Sequence, residues 1–231
     1  MKQHDDTQMM GDNVRFPQTS WTLVRSSENV KALGSLVSVY WKPLYFFVRQ
    51  QGYSNETSKD IVQEFLKTLM ERGSLRRADP ARGRFRTFLL ASLSNFLKDR
   101  AKAESRVKRG GDQTIFSLDF ASGEAEFARD IARGERPETV LHRAWANSLW
   151  RHALDELQGD PAHLEAFRAY LADEEYAAIR ARTGLTEAAA RSAIHRLKGQ
   201  LREIVLEHLR QAVANEDDLE QELTEFLALL R

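Results

Sequence analysis

Apolar residues recur every three or four positions through most of the chain, and this spacing predicts helices. The densest apolar stripe runs from Glu28 to Gln51, where Pro43 predicts a kink or a break and Gly52 an end. Seven further segments have amphipathic spacing: 55–72, 85–106, 137–157, 162–171, 176–182, 187–213 and 216–230. The pattern predicts an all-α fold.

One pair of segments carries a more specific signal. Tyr176–Arg182 is followed by Gly184, which suits a tight turn, and by Thr186, which can cap the next helix. This is the pattern of a helix-turn-helix, whose second helix can lie in the major groove of DNA. A plain helical hairpin with a solvated basic face remains the alternative. The second helix buries one set of residues, Ala190, Ile194 and Leu197, and exposes another, Arg191, Ser192, His195, Arg196 and Lys198.

Loop composition divides the chain into two small helical domains and three connecting or terminal segments. We expect a flexible tail at 1–18, a first domain at 19–110 and an acidic linker at 111–136 with a short helix near 125–132. A second domain at 137–213 contains the helix-turn-helix, and 214–231 forms an acidic amphipathic helix.

Charge is balanced in total but segregated along the chain. The sequence has 34 Lys and Arg against 34 Asp and Glu among 231 residues. Arg72–Arg109 has twelve basic and three acidic residues, whereas Glu216–Glu225 has six acids and no base. The basic block, interleaved with Phe85 and Phe88, is typical of a surface for single-stranded nucleic acid. Burial of the phenylalanines of this segment in the core is the alternative, and we favour it for Phe88 and Phe96.

The sequence gives no sign of catalysis. It has no cysteine, its six histidines are scattered, and it lacks a phosphate-binding glycine loop. We therefore expect no catalytic residues, metal or cofactor, and a function in binding. No apolar run approaches the roughly 18 residues that span a bilayer, and the N-terminus lacks the apolar core of a signal peptide. We expect a cytoplasmic protein that does not bind a membrane.

With these elements placed, the chain resembles the extracytoplasmic-function (ECF) group of bacterial RNA polymerase sigma factors. The first half resembles their region 2 in YWKPLYFFVRQQGYSNETSKDIVQEFLKTLM, with its D-x-x-Q-E-x-F pattern, and in GRFRTFLLASLSNFLKDRAK. The second half resembles region 4 in YAAIRARTGLTEAAARSAIHRLK. The resemblance covers Trp21 to about Arg210.

The resemblance implies a promoter-recognition subunit that is not itself an enzyme. Its polymerase-binding face, which meets the clamp helices of the largest subunit, would be Asp60, Gln63, Glu64 and Phe65. Region 4 would also hold the polymerase flap tip. The residues implied at the melted minus-ten element are Arg77, Arg82, Arg84, Phe85, Arg86, Asn95, Lys98, Arg100 and Lys102. Those implied at the minus-thirty-five element are Thr186, Arg191, Ser192, His195, Arg196 and Lys198.

The sequence departs from this family in three places. Arg180 stands where such motifs usually carry a small residue, the segment before Asp60 is less acidic than usual, and the acidic C-terminal helix is additional. Phosphorylation of Thr57 or Ser58 would restore negative charge near that helix N-terminus. The alternative is that both are ordinary exposed first-turn residues. The C-terminal helix either restrains activity by covering a basic face or simply packs.

Two other functions stay open. A helix-turn-helix transcriptional regulator would bind duplex DNA without core polymerase and would not need the basic, aromatic surface. A decoy that regulates transcription through sigma-like helices would not need an intact basic block. The resemblance also leaves open the regulatory partner, which would be an anti-sigma factor or a serine/threonine kinase.

Overall fold

A computed structural model of the protein describes residues 30–71, 84–104, 118–131, 134–213 and 217–230. Within these ranges every regular element is a helix, so the all-α fold is confirmed. The predicted tail lies outside the described residues, as does the loop at 72–83. The helices are α1 (Val30–Gln50), α2 (Asn55–Glu71), α3 (Phe85–Glu104), α4 (Phe120–Asp130), α5 (Pro137–Asp155), α6 (Pro161–Leu171), α7 (Tyr176–Thr183), α8 (Glu187–Ala212) and α9 (Asp217–Leu229).

Helix α1 is the centre of the fold because its second half is apolar nearly all round. Tyr45, Phe47 and Val48 are fully buried and point to different sides of the helix. A helix with this pattern is stable only when neighbours cover it on every side. Pro43 lies inside α1, which runs through it without a break, so of the two predicted alternatives, a kink or a break, the break is wrong. The helix ends where Gly52 adopts a φ of 93°.

The first two helices form a hairpin whose second helix has a conventional start. The Ser54 hydroxyl accepts a hydrogen bond from the Thr57 amide at 3.2 Å, and the Ser54 carbonyl accepts one from the Ser58 amide. This is the cap that the sequence predicts, and it satisfies amides that have no partner within the helix. Ile61, Leu66 and Leu69 then bury one face of α2.

The segment predicted as a linker contains α4, which packs on α1. The Asp119 side chain caps this helix by accepting from the Ser122 amide at 3.0 Å. Phe120 lies edge-on to Trp41, with ring centroids 5.3 Å apart, and Phe127 packs against Phe46. The predicted short helix is therefore present, begins five residues earlier than expected and is part of the core.

Ion pairs also fix α4 in place. The Glu124 carboxylate accepts from the Arg49 guanidinium at 2.7 and 2.9 Å, and this pairing holds the pKa of Glu124 below its usual range. Glu126 accepts from Lys42 at 2.8 Å and from Arg151 at 2.9 Å, so it joins α1 to α5. The segment between the two predicted domains thus contacts both of them.

The two predicted domains meet in one hydrophobic cluster. Helix α1 packs along α5, and the fully buried Trp145 of α5 lies among residues from both halves of the chain. Helices α8 and α9 pack on α5 and contribute further buried residues to this cluster, among them Leu209 and Phe226. Among the helices described here, not one has the length and hydropathy that a membrane span requires.

The close approach of α4 to α1 is testable at Gly123. A Cβ atom there would lie 3.0 Å from the Trp41 ring, which is itself buried. We expect Gly123→Val to lower the free energy of unfolding by about 1–3 kcal/mol, because the ring has no room to retreat. Ala125→Val, at an exposed position of the same helix, is the control and should cost only about 0.5 kcal/mol. Equal losses in urea denaturation would show that α4 does not pack as described.

Candidate nucleic-acid interface

The turn between α7 and α8 has the geometry that the sequence predicts. Gly184 has a φ of 71°, and its amide donates to the Arg180 carbonyl at 2.9 Å, which closes α7. The Thr186 hydroxyl accepts from the Ala189 amide at 3.2 Å and so caps α8. Because both helix ends are capped within three residues, the angle between the helices is set locally.

Small residues beneath this turn let the helices approach one another. Ala166, Ala169 and Ala190 are buried around Ile179, and Leu185 packs against the same group. Arg180 is exposed and does not enter this cluster. The unusual residue at position 180 therefore leaves the packing between α7 and α8 undisturbed.

The outer face of α8 carries the predicted DNA-facing side chains. Ala190, Ile194 and Leu197 are buried, as predicted. On the opposite side, the residues expected to be exposed are all exposed: Arg191, Ser192, His195, Arg196 and Lys198. The structure thus brings this set together on one surface, with Thr186 exposed at its N-terminal end.

Aromatic side chains of the preceding helices support three of these cations. The Arg191 guanidinium lies 4.4 Å from the centroid of the Tyr176 ring, and the Lys198 amine lies 4.1 Å from that of Tyr170. Arg196 Nη2 lies 3.1 Å from Nδ1 at the edge of the His163 ring. Arg191 also donates to Glu187 Oε1, through Nε at 3.0 Å and through Nη2 at 2.8 Å. These contacts restrict the long side chains, so the surface is partly ordered while its cations remain exposed.

The basic groups at the start of α3 have a different environment. The Arg84 Nε lies 2.7 Å from the Glu222 carboxylate, and Arg84 Nη2 donates to Glu225 at 2.9 Å. Arg86 donates to Glu222 through Nη1 and to Glu225 through Nη2, the latter at 2.9 Å. Both acids belong to α9, so these two arginines are paired with the C-terminal helix.

Burial makes the Arg86–Glu222 pair an unusual part of this cluster. Arg86 is 3% exposed, Glu222 is 0% exposed, and the Arg86 guanidinium lies 4.3 Å from the centroid of Trp145. Burial raises the pKa of Glu222, against the opposing effect of the two arginines, and lowers that of Arg86. The pKa of the more exposed Glu225 is lowered, chiefly by its hydrogen bond from Arg84.

The remaining residues expected at the minus-ten element fall into three environments. Phe85 is buried against Tyr40, with centroids 5.4 Å apart, so it belongs to the core, as does the partly buried Phe88. Arg100 pairs with Glu64 of α2. Arg77 and Arg82 lie outside the described residues. The others are exposed on α3: Asn95, Lys98 and Lys102.

The predicted polymerase-binding face is only partly a surface. Asp60 and Glu64 are exposed, and Gln63 is half-buried beside them on α2. Phe65 points the other way and is 3% exposed, with its ring 5.7 Å from that of Phe96. Its place on a binding face is therefore wrong for this conformation, and its role is in the packing of α2 on α3.

The two candidate phosphorylation sites also differ. Ser58 is fully buried, so the expectation that it is an exposed first-turn residue is wrong, and a kinase cannot reach it in this conformation. Thr57 is half-buried, and its hydroxyl lies 2.9 Å from that of Ser54. Of the pair, only Thr57 is partly exposed, so it alone remains a candidate modification site in this conformation.

The partners of Arg84 and Arg86 were not predicted from the sequence. A signal was present, because Glu222 lies three residues after Leu219 and four before Phe226, within the apolar stripe of α9. An acid inside such a stripe must find a cation or lose its charge. In the ranges that the structure covers, no group of three or more histidine or acidic side chains is arranged to hold a metal ion.

Comparison of the chain with protein-family models, curated proteins and solved structures gives no match.

The turn geometry predicts opposite effects at two glycines. Gly184→Ala should lower the free energy of unfolding by about 1 kcal/mol, because a side chain disfavours the left-handed conformation. Gly199 lies within α8, where a Cβ atom would meet nothing within 4 Å. Gly199→Ala should therefore raise the free energy of unfolding by about 1 kcal/mol. Thermal denaturation of both variants shows whether stability falls in the first and rises in the second. A rise for Gly184→Ala would contradict the left-handed conformation of Gly184.

Proposed function

We propose that this protein is an ECF-type sigma factor, a subunit that directs RNA polymerase to promoters and takes part in their melting. The observation that carries the proposal is the outer face of α8, where Arg191, Ser192, His195, Arg196 and Lys198 stand together beyond a glycine turn. A rigid helix with this composition suits the major groove, in which arginine can pair with guanine.

In this proposal α8 reads the minus-thirty-five element as duplex. Thr186 and the first turn of α8 would lie against the phosphate backbone, where free amides and a hydroxyl are good donors. Arg191 and His195 are one helical turn apart, so they would face neighbouring base pairs. The helices around α8 would hold the polymerase flap tip.

The first half of the chain would provide the other contacts with polymerase and DNA. Asp60, Gln63 and Glu64 form a polar face on α2 that suits the basic side of the polymerase clamp helices. Asn95, Lys98 and Lys102 are exposed on α3 and would follow the melted strand. Polymerase supplies the catalysis, so the protein itself is not an enzyme. Such a subunit acts in the cytoplasm and is a target for an anti-sigma factor or for a kinase at Thr57.

A second function is favoured by one observation. Arg84 and Arg86 are paired with α9, so in this conformation the α8 face is the more accessible basic surface. A transcriptional regulator that binds duplex DNA without polymerase would need only that face. The two functions differ in whether the protein binds core polymerase.

Co-elution with core RNA polymerase separates these functions. The purified protein is mixed with core polymerase, passed over a size-exclusion column, and then tested for promoter-dependent transcription. A sigma factor co-elutes and starts transcripts at defined positions. Asp60→Lys is the variant that should weaken co-elution, because it reverses charge on the exposed α2 face. Duplex binding without co-elution or transcription would favour the regulator.

Base recognition by α8 is tested with Arg191→Ala. Loss of a good base contact costs about 1–3 kcal/mol, so binding to selected promoters should fall by about 5- to 150-fold. Binding to random duplex should fall much less. Arg180→Ala, an exposed arginine of α7, is the control for loss of one charge. Equal losses of Arg191→Ala on both DNA types, measured by fluorescence anisotropy, would reduce α8 to a phosphate-binding surface.

A further inference from the structure

The guanidinium groups of Arg84 and Arg86 are paired with carboxylates of α9. Arg84 contacts Glu222 through Nε and Glu225 through both Nη atoms, and Arg86 contacts the two acids through Nη1 and Nη2. These are the donor edges that a phosphate group would use. A nucleic-acid phosphate and α9 therefore compete for the same atoms.

Helix α9 is held against the second half of the chain while its acids reach the first half. The buried Phe226 lies edge-on to Trp145, with ring centroids 6.0 Å apart, and Leu219 is also buried. The helix packs on α5 and α8, whereas Arg84 and Arg86 come from the start of α3. The contact thus joins segments about 140 residues apart in the sequence.

The electrostatics of α9 add to the competition. Its first turn carries Asp217 and Asp218, and Asp218 contributes to the raised pKa of Arg84. A helix with this charge repels a phosphate chain approaching the start of α3. Helix α9 therefore both occupies the two arginines and opposes the arrival of a polyanion.

We propose that α9 is an internal competitor of single-stranded DNA, which reaches Arg84 and Arg86 only after α9 has left them. This inference rests on the proposed function, in which the start of α3 meets the melted promoter strand. The intact protein in this conformation binds duplex through α8 but has a masked single-strand surface. Detachment of α9 unmasks that surface.

Glu225→Gln is the variant that tests the competition. Glu225 bridges both arginines, yet its side chain is 38% exposed, and Glu222 remains to pair with the buried Arg86. The substitution therefore weakens the binding of α9 to the two arginines without leaving a buried charge unpaired. Glu220→Gln is the matched control, because it removes the same charge from an exposed position of the same helix.

Affinity for a fluorescein-labelled single-stranded oligonucleotide is measured by anisotropy for the full-length proteins. We expect Glu225→Gln to bind about fivefold or more tightly than the unaltered chain, and Glu220→Gln to bind within about twofold of it. Removal of residues 217–231 should give a larger gain if circular dichroism shows that the protein stays helical. If that truncated protein unfolds, the comparison of Glu225→Gln with Glu220→Gln still tests the competition.

The outcomes separate this inference from the proposed function. Equal single-strand affinities for all full-length proteins, together with normal co-elution with core polymerase, would overturn the competition and leave the sigma-factor proposal standing. Equal gains in Glu225→Gln and Glu220→Gln would also overturn it, because net charge alone would explain them. Absence of DNA binding and of co-elution in every variant would overturn both proposals.

Discussion

The buried ion pair between Arg86 and Glu222 is the constraint on which the arrangement of the two halves depends. Both side chains lie out of water, so each needs the other, and removal of one partner of such a pair typically costs about 3–5 kcal/mol. Trp145 covers the guanidinium from one side, and Phe226 packs on the same ring. The start of α3, the middle of α5 and α9 are therefore fixed to one another by a cluster of ion pairs, of which Arg86–Glu222 is the buried one. Glu126 also fixes neighbouring helices to one another, because it pairs with Lys42 of α1 and with Arg151 near the C-terminal end of α5.

The two basic surfaces, on α8 and at the start of α3, differ in how accessible their cations are. On α8, the rings of Tyr176 and Tyr170 lie against Arg191 and Lys198, and both cations are exposed. Arg191 is also paired with Glu187, but this pair lies at the surface. At the start of α3, carboxylates take up the donors, and one of the two arginines is buried. A protein that reads duplex first and holds a separated strand later would need this difference, since the strand exists only after melting. The order of events in the proposed function is thus matched by the order in which its surfaces are accessible.

Much of the fold could be predicted from the sequence because its signals are local. The glycine at position 184, the caps at Ser54 and Thr186 and the three- to four-residue apolar spacing of α8 depend on neighbours within one or two turns. The exposed set on α8 followed from the same spacing. Phe65 and Ser58 were misplaced, because the residues that bury them come from other helices. The docking of α4 and the pairing of Glu222 with Arg86, 136 residues apart, depend on tertiary structure and have only an indirect signature, an acid within an apolar stripe.

The central claim is that α9 covers the start of α3 and leaves it when DNA binds there. Amide hydrogen exchange of the full-length protein, alone and with core polymerase and a promoter with a pre-melted minus-ten region, tests this most directly. Exchange reports local opening of a helix against a stable core. We predict that amides of α9 exchange at least about tenfold faster in the complex, while those of α5 keep their protection. Unchanged protection of α9 in a fully formed complex would contradict the account.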